Sequence, residues 1–137
     1  DDAGVGAWDL VQETRVVDGS GGRAATPSTT VTDYPVVSPF TGGQSSLSVE
    51  LEFDADLSGV RNDLTEVTYD SVAPYTYTDS YTLSWARTGA RSFDIAYDTA
   101  WGDWSCDIDA ADDDKLTCGR PVEGGSYSQK LERRAAQ

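Results

Sequence analysis

The chain has 137 residues, 24 of them acidic and 10 basic, for a net charge of −14, and contains neither histidine nor methionine. Such a charge repels nucleic-acid phosphates and anionic lipid, so no nucleic-acid partner is expected. No apolar run reaches the roughly 18 residues of a membrane span, so a membrane-spanning protein is not expected either.

One domain over residues 1–137 is the reading of this length, with residues 1–5 as an N-terminal arm and 135–137 as a tail. Gly6 to Val17 reads as a first strand, Trp8 and Leu10 sharing a face, and the Gly-rich run after Asp18 ends it. Pro27, Pro35 and Pro39 remove ladder donors from the next stretch. Thr29 to Val37 is therefore at most an edge strand, and Pro39 to Ser46 reads as a loop. Leu47, Val49, Leu51 and Phe53 alternate with Ser48, Glu50, Glu52 and Asp54, which predicts a strand dry on one face. A turn through Asp54 to Gly59 follows, then a strand carried by Thr65, Val67 and Tyr69.

Tyr75 to Tyr97 holds the longest alternation. Tyr75, Tyr77, Tyr81, Leu83 and Trp85 lie two apart or four apart going in, and Phe93, Ile95 and Tyr97 come back. Matching like faces predicts a hairpin with Trp85 opposite Phe93, Leu83 opposite Ile95 and Tyr81 opposite Tyr97, turning through Thr88 to Ala90. After Trp101-Gly102-Asp103, Trp104, Cys106 and Ile108 alternate, as do Leu116 and Cys118. Pairing Ile108 with Leu116 puts Cys106 opposite Cys118 on one face, which predicts a disulfide. A disulfide points to a secreted, periplasmic or cell-surface protein, a processed lipoprotein included. Gly124-Gly125 marks a last turn, and Ser126 to Arg134 a last strand. Many short strands joined by tight turns predict an all-β fold: an antiparallel up-and-down β-barrel of about eight to nine strands.

Without histidine there is no Ser-His-Asp or Cys-His arrangement, and paired cysteines are not nucleophiles, so no catalytic residue and no enzyme activity are expected. No cofactor is expected, and no metal. Asp54-Ala55-Asp56-Leu57-Ser58-Gly59 matches the first half of a calcium loop, but Thr65 stands where the bidentate Glu is needed and the flanks read as strands. The acidic run Asp107 to Asp114 reads as a polar turn.

Gly6-Ala7-Trp8 is similar to the GxW signature of lipocalins, and Tyr127 with Lys130-Leu131-Glu132-Arg133 resembles the last strand of small bacterial lipocalin-like domains. Thr78-Asp79-Ser80-Tyr81 differs by one position from the family's TDxxY. The resemblance implies a calycin-type barrel whose narrow end is closed by Arg133, or Arg134, packed over Trp8. A barrel of this size either fills its lumen with side chains or holds one small ligand. The tyrosines and tryptophans have polar tips suited to a mouth, so Tyr77, Asp79, Tyr81, Trp85, Tyr97 and Trp101 are the candidate ligand-binding residues. Asp79 interrupts the dry face and is expected at a partly hydrated pocket. The functional expectation is a secreted or envelope-attached, non-enzymatic barrel binding a small, partly apolar molecule. The alternative is a protein-interaction module with a filled barrel, such as a protease inhibitor or a surface-assembly subunit.

Overall fold

A computed structural model describes residues 4–17, 28–98, 102–122 and 124–134. Among the described residues, ten antiparallel strands form one sheet: β1 (Gly6–Val17), β2 (Ser28–Asp33), β3 (Val36–Phe40), β4 (Gly43–Phe53), β5 (Ser58–Tyr69), β6 (Tyr75–Arg87), β7 (Ser92–Tyr97), β8 (Asp103–Ile108), β9 (Lys115–Val122) and β10 (Gly125–Arg133). From β4 to β10 each strand pairs with the next, β10 pairs with β1, and β1 returns to β4. Those eight strands close a barrel, and β2 and β3 are additional. Among the described residues there is no helix, and so none long and apolar enough to cross a membrane.

Closure rests on a short seam. Gly6, Ala7, Trp8 and Asp9 pair with Phe53, Glu52, Leu51 and Glu50. Beyond it the two strands part, the far half of β1 pairing with β2 and the near half of β4 with β3. Tyr34 and cis-Pro35 join those two strands, and Tyr34 N–H donates to Val11 O where the first strand and its neighbour separate. The barrel is thus closed at one end and splayed at the other.

The closed end is filled. Trp8, Leu51, Phe53, Trp85, Phe93 and Ile95 are buried there. Phe53, Trp85 and Phe93 form a triangle of rings with centroids 5.1–5.8 Å apart, each such pair contributing about 0.5–1.5 kcal/mol beyond its buried area. Trp8 Nε1 donates to Gly4 O at 3.1 Å, and Trp85 Nε1 to Asp54 O at 3.0 Å. Arg133 lies opposite Trp8 in register, its guanidinium carbon 4.3 Å from the ring centroid. Arg134 instead pairs with Asp9 and Glu50 on the outside. Gly4 is buried against Phe93 and Trp85, so this part of the expected arm is tucked onto the core.

Cys106 and Cys118 face each other across the β8–β9 pair and are disulfide-bonded, with Ile108 opposite Leu116. Three expectations need correction. The β6–β7 hairpin pairs Leu83 with Tyr97, Trp85 with Ile95 and Arg87 with Phe93. It turns through four residues because Thr88 and Gly89 N–H both donate to Ser92 O. The two-residue displacement leaves every side chain on its expected face. Pro39 and Gly43 to Ser46 belong to β3 and β4 and not to a loop; Pro39 fits because β3 is paired on one side only. The fifth strand begins at Ser58, well before Thr65, so the acidic turn there is only Asp54 to Leu57.

Candidate functional site

A cavity of about 350 Å³ occupies the splayed end, lined by Glu13, Arg15, Arg61, Trp104, Arg120, Tyr127 and Gln129. Each residue arrives by strand parity. In β8, β9 and β10 the residues continuing the core rows of Cys106, Cys118 and Leu131 are Trp104, Arg120, and Gln129 with Tyr127. In β5, Arg61 and Asp63 share a face with buried Val67. In β1 the register shifts between Leu10 and Gln12, so a bulge at Val11 moves the inward row from Trp8 and Leu10 to Glu13 and Arg15. Glu13 then lies opposite Gln129, which donates to it at 2.9 Å, and Arg15 opposite Tyr127.

Aromatic and cationic groups alternate on the wall. Trp104 and Tyr127 are near parallel, centroids 6.3 Å apart. Arg15 lies 5.5 Å over the Tyr127 ring and Arg120 5.9 Å over Trp104. Gly102, at φ +76°, makes room for Arg120: a Cβ there would come 2.8 Å from the guanidinium carbon. Trp104 is 8 % exposed, and its indole N–H is buried with no acceptor among the described residues.

At the base, Arg61 Nε donates to Asp63 at 2.7 Å. Burial disfavours the Arg61 charge, but hydrogen bonding and attraction to Asp63, aided by Tyr97, raise its pKa overall. Burial pushes the Tyr97 hydroxyl above the ordinary tyrosine range against the pull of Arg61. Tyr34 is raised too, by burial and then by Glu13, with Arg61 opposing. The arrangement can hold an apolar ring against Trp104 and Tyr127 and a polar group among the arginines.

The expected ligand residues fall elsewhere or apart. Trp85 belongs to the filled end. Tyr97 is buried and reaches the site through Arg61. Tyr81 is half-buried opposite Arg61 in register. Tyr77 is 51 % exposed, and Asp79 is exposed even though Asp63, its register partner, is not. Asp79 was expected at a partly hydrated pocket; β7 pairs with β6 only from Leu83 onward, and among the described residues no strand pairs with the earlier half of β6 on that side. Trp101 lies outside the described residues. Tyr77 instead joins Tyr75, Tyr69 and Phe40 in a row of rings 5.8–6.4 Å apart across the splayed sheet.

The lining residues Glu13, Arg15, Arg61, Arg120 and Gln129 were not singled out from the sequence. The available signal was polar residues at dry-face positions: Arg120 two after Cys118, Gln129 two before Leu131, Arg61 two after Gly59. At the end of the turn Asp54 to Leu57, the Ser58 N–H and hydroxyl both donate to Asp56, which makes a closed polar turn. Compared with known proteins, the chain matches no family model, no curated protein and no solved structure.

Proposed function

We propose that this protein is a non-enzymatic, lipocalin-like barrel that binds a small, partly apolar molecule at its open end, outside the cytoplasm. One observation carries the reading: a barrel solidly filled at one end keeps a cavity of about 350 Å³ beside two stacked rings at the other. That volume lies at the small end of the usual range for ligand sites, roughly 300–1,000 Å³. The disulfide suits an oxidising compartment, and a chain with no histidine and no free cysteine lacks the commonest general base and a thiol nucleophile. Thermal-shift screening against a small-molecule library tests it, since a ligand of the native state raises the melting temperature. Hits should stabilise the wild type and Asp79→Asn but not Trp104→Leu. Equal stabilisation of Trp104→Leu would move the ligand elsewhere. No hit, together with no retained molecule in native mass spectrometry of protein from its source, would contradict the reading.

A second reading, a protein-interaction module, is favoured by the exposed row Phe40, Tyr75 and Tyr77. It expects Tyr75→Ser with Tyr77→Ser to abolish association with a protein partner while leaving the thermal-shift hits untouched.

A further inference from the structure

We propose that the free edge of β6 receives an extended, arginine-rich segment of a protein partner as an added strand. This rests on the interaction reading, whose partner it assigns a chemistry, and it makes no use of the cavity.

The backbone comes first. β5 pairs with β6 along the whole run from Tyr75 to Ser84, whereas β7 pairs with it only from Leu83 onward. Trp85 N–H donates on the β5 side, to Leu57 O, and Thr82 O accepts from Asp98 N–H on the opposite side. By strand alternation, the N–H and C=O groups of Thr76, Thr78 and Ser80 therefore point away from β5. No strand among the described residues pairs with them. Tyr75 to Thr82 holds no lysine, no proline and no bulge, devices that keep an edge from adding a strand. Its one charge is Asp79, which repels a second acidic copy of this chain and attracts a basic strand.

Charge decides what the edge accepts. From Ala24 to Ala86 nine acidic residues meet one basic residue, Arg61, and Arg61 is bonded to Asp63 at 2.7 Å. Asp79 on the inner face and Glu66, opposite Thr76 on the outer face, are exposed and make no ion pair among the described residues. Carboxylates thus lie on both faces beside the edge.

The inner face supplies the rest of the recognition. Tyr75 and Tyr77, 50 % and 51 % exposed, share that face with Asp79 by parity and continue into Tyr69 and Phe40. A guanidinium stacks on a phenol ring, and its planar N–H fork matches a carboxylate. Alternate arginines of an added strand therefore meet Tyr77 and Asp79 in turn.

Fluorescence-anisotropy titration with labelled peptides of about eight residues tests this, threonine alternating with arginine in one and with glutamate in the other. The arginine peptide should bind, more weakly as salt rises, and the glutamate peptide should not. N-methylating only its threonine amides, or only its arginine amides, blocks one edge of the arginine peptide at a time. One of these two modified peptides should lose at least about tenfold in affinity and the other little, because an added strand turns a single edge to β6. Asp79→Asn and Thr78→Pro should each weaken binding severalfold or more. The proline is compatible with folding because that N–H faces away from β5. Asp107→Asn, on β8, should leave binding unchanged. Equal binding of the arginine and glutamate peptides would overturn the proposal, as would equal losses from the two methylations. A dimer abolished by Thr78→Pro, without arginine-peptide binding, would give the edge to a second copy and also overturn it. If Tyr75→Ser with Tyr77→Ser releases a protein partner while the arginine peptide never binds the wild type, this proposal falls and the interaction reading stands.

Discussion

Arg61 enters the barrel from the first half of β5, and what surrounds it decides how the open end titrates. Its ion pair with Asp63 is only 14 % and 18 % exposed, so removing one partner leaves a charge poorly solvated. Asp63→Asn should destabilise the fold by about 2 kcal/mol, less than the roughly 3–5 kcal/mol of a fully buried pair; urea unfolding measures it. Tyr97 and Tyr34 give a pH signature. Burial raises both hydroxyls above the ordinary tyrosine pKa of about 10. Their stabilising contribution is therefore full below the unfolded-state pKa, near 10, and is lost as pH rises through the higher folded values. The urea midpoint should fall above pH 10, and Tyr97→Phe should fall less steeply; parallel curves would contradict the assignment. These residues were hard to find in sequence because they break the rule used to find strands. Arg61 and Asp63 replace apolar side chains on the dry face of β5, so the alternation was read as starting at Thr65.

At the scale of elements, the β4–β5 turn carries the clearest strain. Leu57 has φ +72° and is 45 % exposed, so it contributes little packing there. A left-handed non-glycine residue costs about 1–2 kcal/mol, and glycine gives back roughly 0.5–1 kcal/mol through unfolded-state entropy. Leu57→Gly should then raise stability by up to about 1 kcal/mol, seen as a higher urea midpoint with unchanged slope. Legibility varied by element for similar reasons. The β8–β9 pair and its disulfide followed from parity alone, because Trp104, Cys106, Ile108, Leu116 and Cys118 alternate without a break. The β6–β7 hairpin kept its faces but not its register, since parity cannot distinguish pairings two residues apart and the Ser92 hydrogen bonds set the loop length. The bulge at Val11 left no apolar trace, so the turn of Glu13 and Arg15 into the cavity was hidden.

For the whole molecule, the all-β barrel was legible because hydrophobic alternation and turn residues agree along most of the chain. Where it opens was not, because that depends on β1 and β4 parting after four residue pairs, a tertiary outcome. Trp8 and Arg133, singled out from opposite ends of the chain, meet at the filled end; the aromatics of the early half of β6, expected to line the mouth, stand largely exposed. The central claim is that one end is filled and the other receives the ligand, and the indole N–H groups report on each end separately. Trp8 and Trp85 donate to backbone carbonyls in the filled end, whereas Trp104, beside the cavity, has no acceptor among the described residues. An ¹⁵N-resolved NMR titration with a small molecule that raises the melting temperature should move the Trp104 indole resonance and leave those of Trp8 and Trp85 in place. Movement of Trp8 or Trp85 with Trp104 fixed would contradict the account.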